Sequence, residues 1–154
     1  MASFIQKIYR TKNVTETVKV FIRDYLAIPK SYCYKTEADV ERVIAKQMIE
    51  EFGSENVKRQ YAVGGFLNLK CDIDLYDGQC GIELKLAKQL SSATNLQRVL
   101  GQVYYYSQRR YKDTGLILLI VGTKEELDPN LKELKSYVEK IEGVHFVYKV
   151  ADKK

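Results

Sequence analysis

Histidine, tryptophan and cysteine are scarce in this chain of 154 residues. One histidine and no tryptophan make histidine-led catalysis, a serine triad and a histidine-rich metal site poor predictions. The three cysteines, Cys33, Cys71 and Cys80, form no CxxC pair. Their number and spacing argue against a zinc site or a disulfide framework and favour a reducing, cytoplasmic setting.

Long apolar runs are also absent. No stretch approaches the roughly 20 apolar residues that span a bilayer, and the start, MASFIQKIYR, lacks the apolar segment of a secretory signal. We therefore expect no membrane association and no secretion. Hydrophobic residues are 45% and charged residues 29%, which predicts one globular domain over residues 1–154.

The charge balance is modestly basic. Lysine and arginine outnumber aspartate and glutamate by 25 to 20, which gives a formal net charge of +5. A positive balance of this size favours a polyanionic partner without establishing one.

Apolar periodicity and turn residues predict four helices and five strands in the order α-α-β-β-β-α-β-α-β. This order predicts a mixed α/β fold with helices on the faces of a mixed sheet. The predicted helices cover residues 14–27, 36–52, 91–111 and 129–142, and the predicted strands cover residues 57–63, 66–76, 79–86, 116–121 and 144–150.

The Asp77-Gly78 pair predicts a tight hairpin between the second and third strands. A two-residue turn at this position would pair Tyr76 with Gln79 and would set the register of the whole hairpin. In that register one face is wholly apolar and consists of Cys71, Ile73 and Leu75 opposite Leu84, Ile82 and Cys80.

The other face of the predicted hairpin is charged. It places Asp72 directly opposite Glu83 and Lys70 opposite Lys85, and like charges in opposite positions are destabilising. A divalent cation between the two carboxylates would relieve the repulsion, and such hard ligands suit Mg²⁺ or Mn²⁺. A solvated polar face is the equal alternative on spacing alone, and Asp74, on the same face as Asp72, is its rival for the ligand role.

Asp72, followed after a tight turn by Glu83-Leu84-Lys85, resembles the signature of the PD-(D/E)xK nuclease superfamily. That superfamily includes restriction endonucleases, Holliday-junction resolvases and helicase-associated exonucleases. Its restriction-endonuclease-like core has the order αβββαβ, which matches the elements predicted for residues 36–121. The N-terminal helical extension, 1–35, and the C-terminal helix-strand pair, 129–150, would be additions. Cys71 stands where the signature has proline.

The resemblance implies roles for four residues of the hairpin. Asp72, Glu83 and the main-chain carbonyl of Leu84 would bind Mg²⁺ or Mn²⁺, and Lys85 would be the catalytic lysine. Many members of the superfamily also carry an acidic residue on the helix before the sheet. Glu41 is the best match, Glu37 is the alternative, and a position on the wet face of the helix is the simpler explanation for either.

The helix after the hairpin contains Gln102 and Tyr106, which resemble the QxxxY motif of the exonuclease- and resolvase-like branch. Residues at i and i+4 share a helix face, so the two side chains would shape the active site together. Gly101 would let this helix approach the sheet closely. Packing of the tyrosines into the core is the alternative.

Basic residues near aromatic ones or near these motifs are candidate phosphate contacts. They are Arg59, Lys88, Arg98 and Arg109. Exposed basic residues of a solvated surface are the usual explanation of such clusters, so they support a nucleic-acid partner only in combination with the hairpin.

The residues and the resemblance together predict a metal-dependent nuclease that hydrolyses phosphodiester bonds, with DNA favoured over RNA. Whether it cuts as an endonuclease or an exonuclease stays open. Dimers are common in the superfamily, so a homodimer is a further expectation, with the helix over residues 14–27 as a candidate dimer or DNA contact. The alternatives are a catalytically inactive nuclease-like fold that binds nucleic acid or protein, and a hairpin whose charges only confer solubility.

Overall fold

The computed structural model describes residues 13–152, so the first twelve residues of the expected extension 1–35 lie outside the described part. The helices are α1 (Val14–Asp24), α2 (Glu37–Phe52), α3 (Ala93–Tyr106) and α4 (Pro129–Val138). The strands are β1 (Val57–Ala62), β2 (Lys70–Leu75), β3 (Cys80–Leu86), β4 (Leu116–Gly122) and β5 (Val144–Val150).

The five strands form one mixed sheet in the order β1-β2-β3-β4-β5. β1, β2 and β3 are antiparallel neighbours, whereas β3, β4 and β5 run parallel to one another. β4 is buried along its whole length, as expected of a central parallel strand covered on both faces. The predicted mixed α/β class and the predicted order of elements are confirmed.

Helices cover both faces of the sheet. The apolar sides of α1 and α2 pack with residues such as Ile82 and Leu84 of β3 in one core cluster. Those of α3 and α4 pack with the opposite face, including Leu118 of β4. Thr36 caps the N-terminus of α2, and its side chain accepts a hydrogen bond from the Asp39 amide in a capping box. Across residues 13–152, no helix has both the length and the apolarity to cross a membrane.

Several predicted boundaries are wrong by a few residues. β2 begins at Lys70 and not at Phe66, because residues 64–68 form a turn with positive φ at Gly64, Gly65 and Asn68. The helix predicted to reach residue 111 is α-helical only to Tyr106 and continues as a π-helical turn, Ser107–Tyr111. The first and last helices end at Asp24 and Val138, a few residues before their predicted ends.

The hairpin turn has four residues where two were predicted. Leu75 and Cys80 are the last pair, and Tyr76, Asp77 and Gly78 all have positive φ. The register from Leu75 to Ile73 is nevertheless the predicted one, with Ile73 opposite Ile82 and Asp74 opposite Gly81. The predicted pairs of Cys71 with Leu84, Asp72 with Glu83 and Lys70 with Lys85 are not part of the ladder. Turns of two and four residues keep the same alternation of faces, so the error in the turn did not change the pairing.

The predicted apolar face of the hairpin is wrong at Cys71. Ile73 and Leu75 pack in the core cluster beneath α1 and α2, but Cys71 packs in the other cluster with Tyr106 and Tyr111. Regular alternation therefore fails between Cys71 and Ile73, at the position of Asp72.

The glycine that allows close packing is Gly81, and not Gly101 as the sequence predicted. Gly101 was expected to let α3 approach the sheet, yet it is exposed and a Cβ built there would meet nothing within 4 Å. Gly81 is the position of close approach, because the ring of Tyr111 lies where its Cβ would be, at 2.6–2.8 Å.

Alanine substitutions at these two glycines should have opposite effects. Gly81→Ala should lower the free energy of unfolding by about 1–3 kcal/mol, because the ring of Tyr111 has to move. Gly101→Ala should raise it by roughly 0.5–1 kcal/mol, because alanine is the better helix former. Urea denaturation of both variants checks the pair, and a stabilising Gly81→Ala would contradict the packing described here.

Candidate metal centre

The strands β2 and β3 separate next to Asp72. Their ladder ends at the pair Ile73–Ile82, and beyond it the Asp72 carboxylate accepts a hydrogen bond from the Leu84 amide at 2.7 Å. The side chain thus takes the place of a main-chain partner between the two strands. In an extended strand the amide and carbonyl of one residue point to the same side, so the Leu84 carbonyl also faces β2.

Glu83 lies beside Asp72 and is 3% exposed. Its Oε2 is 3.1 Å from the ammonium group of Lys85. Its Oε1 is buried, and no residue in the described part of the chain donates a hydrogen bond to it. A buried carboxylate oxygen without a hydrogen-bond donor is costly in free energy. The described residues alone therefore do not satisfy this atom.

Burial has the largest effect on the pKa of each acid of the pair. Burial raises the pKa of Glu83 well above its ordinary value, and the charge of Asp72 raises it further. Burial also raises the pKa of Asp72, against the opposing effect of the hydrogen bond from the Leu84 amide. The raised pKa values of Asp72 and Glu83 reflect two neighbouring acids that are buried away from water. Such an arrangement is typical of functional sites.

Lys85 joins the pair to α2. Its ammonium group lies 3.1 Å from Glu83 and 3.8 Å from Glu37. Burial acts to lower the pKa of Lys85, but the charges of these two glutamates outweigh it, and the pKa is raised overall. Glu37, the alternative to Glu41, is therefore held against the candidate catalytic lysine.

Glu41 is buried beside the carboxylate pair, not on a wet face of α2. Its two carboxylate oxygens accept hydrogen bonds from the guanidinium of Arg59 and from the side-chain amide of Gln60. The same amide of Gln60 donates to Asp72 at 3.1 Å. Glu41 thus reaches Asp72 through Gln60, a residue that sequence reasoning missed because no local pattern distinguishes a glutamine in a strand.

Asp74, the rival of Asp72, is fully buried in a different network. It accepts hydrogen bonds from Arg110 at 2.9 Å, from the Tyr111 hydroxyl at 2.6 Å and from the Gly78 amide at 3.0 Å. The guanidinium of Arg110 also lies over the ring of Tyr61. These donors satisfy Asp74, so its place is structural and it fixes the hairpin to the π-helical turn after α3.

Removing Asp74 should destabilise the fold strongly. Asp74→Ala leaves a partly buried arginine and a buried hydroxyl without their acceptor, and breaking a buried ion pair costs about 3–5 kcal/mol. Asp77→Asn, on the same turn but with an 83% exposed side chain, should have little effect. Urea denaturation compares the two, and equal effects would show that the Asp74 network is not structural.

Gln102 and Tyr106 both lie near the pair but differ in their contacts. Gln102 lines a cavity of about 320 Å³ with Lys85 and Arg98, and its buried Oε1 receives no hydrogen bond from the described residues. Tyr106 donates its hydroxyl hydrogen to the Lys70 carbonyl at 2.9 Å. Gln102 therefore forms part of the cavity wall and keeps a buried acceptor without a donor, whereas Tyr106 positions the start of β2. A larger cavity, about 520 Å³, lies two strands away between α1 and β5.

The four basic candidates are in different situations. Arg59 is held by Glu41, and the ammonium group of Lys88 donates to a main-chain carbonyl at 2.8 Å. Arg98 is exposed at the rim of the smaller cavity. Arg109 is exposed beside the β1–β2 loop, with its Nε 3.4 Å from the Val63 carbonyl. Only Arg98 therefore lies in the cavity that contains Lys85.

The donor set fits a small divalent cation. Asp72 and Glu83 offer adjacent carboxylates, one of them with an oxygen that lacks a donor, and the Leu84 carbonyl faces the same gap. Within residues 13–152 no group of three or more histidine, cysteine, aspartate or glutamate side chains is arranged to hold a metal. A cation here would accordingly depend on two carboxylates, a carbonyl and water, the ligand pattern of Mg²⁺.

Comparison of the chain with family models, curated proteins and solved structures found no match.

Stability without divalent metal should fall as the pH rises. The folded pKa of Glu83 lies above the unfolded value of about 4.3, so the folded state holds a proton that the unfolded state releases. The free energy of unfolding should decrease above about pH 5, by at most about 1.4 kcal/mol per pH unit for this group. Asp72, shifted in the same direction, contributes to the same decrease.

Glu83→Gln should make this decrease shallower, because the glutamine carries no titrating proton. Urea denaturation of both proteins in a chelator between pH 5 and pH 8 measures the two slopes. Parallel slopes would mean that Glu83 is not the buried acid described here.

Proposed function

We propose that this protein is a metal-dependent nuclease of the PD-(D/E)xK type, which hydrolyses phosphodiester bonds of nucleic acid, with DNA as the favoured substrate. One observation carries the proposal: a buried oxygen of Glu83 without a hydrogen-bond donor, in a carboxylate pair with Asp72. Such a pair is unfavourable by itself and becomes favourable when a divalent cation lies between its members.

Asp72, Glu83 and the Leu84 carbonyl would hold Mg²⁺ or Mn²⁺. The bound ion supplies a Lewis acid for the phosphate oxygens and makes water more acidic. Gln60, which donates to both Glu41 and Asp72, orients the Asp72 carboxylate from the side of α2. Such supporting hydrogen bonds keep the ligand oxygens in place before the ion arrives.

Lys85 is the candidate catalytic residue. Its ammonium group is charged, mostly buried and placed between Glu83 and Glu37. In that position it holds a water by hydrogen bonding and stabilises negative charge that develops on the scissile phosphate. Lys85 lines a cavity together with Arg98 and Gln102, and this cavity provides room for a phosphate and for neighbouring atoms of the substrate.

Cleavage of linear, closed circular and single-stranded DNA in Mg²⁺ or Mn²⁺ tests the proposal. The full chain should cleave at least one substrate, and Lys85→Ala should lower the rate by about 100-fold or more. Lys132→Ala, an exposed lysine on α4, is the matched control and should cleave normally. Closed circular DNA distinguishes an endonuclease, which cuts it, from an exonuclease, which does not.

Metal binding provides the second readout. Mn²⁺ should raise the thermal midpoint of the full chain, Asp72→Asn should abolish that rise, and Asp77→Asn on the same hairpin should retain it. Metal binding that depends on Asp72 without cleavage of any substrate would favour a catalytically inactive nuclease-like module. Absence of both binding and cleavage would overturn the proposal and leave the charged hairpin as a structural feature.

A further inference from the structure

The loop between β1 and β2 presents two apolar side chains to solvent. Phe66 is 92% exposed and Leu67 is 46% exposed, at the tip of residues 63–69. Phe66 is the most exposed large apolar side chain in the described part of the chain. A single exposed apolar residue is ordinary, but an adjacent pair at a loop tip beside a candidate active site indicates a binding surface.

Main-chain hydrogen bonds hold this loop in a defined shape. The Val63 amide donates to the Leu69 carbonyl at 3.2 Å and the Asn68 amide donates to the Gly65 carbonyl at 3.3 Å. Tyr105 of α3 donates its hydroxyl hydrogen to the Gly64 carbonyl at 2.9 Å. Phe66 is therefore carried by a closed turn that is attached to α3, which lowers the entropy lost when it binds a partner.

The glycine at position 65 is required by this attachment. Its φ of +82° disfavours other residues, and a Cβ built there would lie 2.1 Å from the Tyr105 hydroxyl oxygen. The Gly64-Gly65 pair, which lies between the predicted strands 57–63 and 66–76, thus allows the loop to pack against α3.

The loop over residues 63–69 leads directly into β2, the strand that carries Asp72. Tyr106, which bonds the Lys70 carbonyl at the end of the loop, lies close enough to Glu83 and Asp72 for their charges to raise its pKa, after the larger effect of burial. Phe66 precedes Asp72 by six residues, so its Cα lies at most about 22 Å from that of Asp72.

The charge around the loop is positive. Residues 63–71, VGGFLNLKC, contain no acidic residue, and Lys70 is exposed. The guanidinium of Arg109 lies against Gly64 and Gly65. An aromatic tip with basic flanks matches a partner that combines flat apolar faces with negative charge, and an unstacked nucleotide has both.

We infer that the loop over residues 63–69 is a base-stacking element and that the substrate carries unpaired nucleotides next to the cleaved bond. Phe66 stacks on an exposed base, Leu67 packs beside it, and Arg109 contacts the adjacent phosphate. This inference rests on the proposed function and makes it more specific. Forks, flaps and single-stranded tails are the substrate class, and continuous duplex is the poorer ligand because its bases are already stacked.

Equilibrium binding by fluorescence anisotropy tests the inference in an Asp72→Asn background, in which the DNA stays intact. Three ligands of equal length are compared: a single strand, a forked duplex and a continuous duplex. Phe66→Ala should weaken binding of the fork and the single strand by about ten-fold, the loss expected for one base–aromatic stack, and should leave the duplex unchanged. Phe66→Trp should restore affinity and Phe66→Leu should not.

Tyr137→Ala, which removes a half-exposed aromatic side chain on α4, is the matched control and should not change binding. Equal affinities for the three ligands, or an equal loss on all three in Phe66→Ala, would overturn the stacking role. Sedimentation equilibrium that shows a dimer lost in Phe66→Ala would overturn it in favour of a second copy of this chain as the partner.

The two proposals fail in different ways. If cleavage depends on Lys85 but binding does not depend on Phe66, the stacking inference is wrong and the nuclease proposal stands. If the protein neither cleaves DNA nor binds it, the nuclease proposal is wrong and the inference falls with it.

Discussion

The pairing of two buried carboxylates between strands that have begun to separate is the constraint on which the site depends. Asp72 lies beyond the end of the β2–β3 ladder, and its carboxylate accepts a hydrogen bond from the Leu84 amide. It lies against Glu83, one carboxylate oxygen of which lacks a hydrogen-bond donor. Burying like charges together costs stability unless something compensates for it. Lys85 compensates for part of this cost. The cost that is left is the physical reason for proposing a cation at this position.

The elements around the pair hold it in place from both faces of the sheet. From α2, Glu41 and Glu37 act through Gln60 and Lys85 respectively. From the other face, α3 and the π-helical turn contribute Tyr106, which fixes the start of β2. The same turn contributes the Asp74 network, which fixes the hairpin end. The π-helical turn at the end of α3 thus brings the donors Arg110 and Tyr111 to Asp74, a fully buried strand residue.

The same helix links the candidate metal centre to the loop at residues 63–69. Gln102 faces the cavity, Tyr106 contacts β2, and Tyr105 and Arg109 hold the loop. α3 and the π-helical turn after it therefore contact both the candidate metal centre and the loop at residues 63–69. A continuous helical segment, and not an irregular connection, therefore sets the separation between the candidate metal centre and this loop.

Local patterns in the sequence were enough to predict the class of fold, the order of the nine elements and the pairing of the hairpin from Leu75 to Ile73. Those features follow from local periodicity, and the alternation of faces survived the error in the turn, because two- and four-residue turns have the same parity. The proximity of Asp72 and Glu83 was foreseeable for the same reason. Their role as metal ligands stays a prediction.

Which charged residues contact one another depends on how distant segments of the chain pack. Asp72 and Asp74 look equivalent in the sequence, but Arg110, 36 positions from Asp74, satisfies one, while strand separation leaves the other against Glu83. Gln60 as a bridge, Gly81 as the point of close approach instead of Gly101, and the exposure of Phe66 also depend on residues distant in the chain. Periodicity reports which face a residue occupies, whereas hydrogen-bond partners and contact distances are set by how separate elements pack.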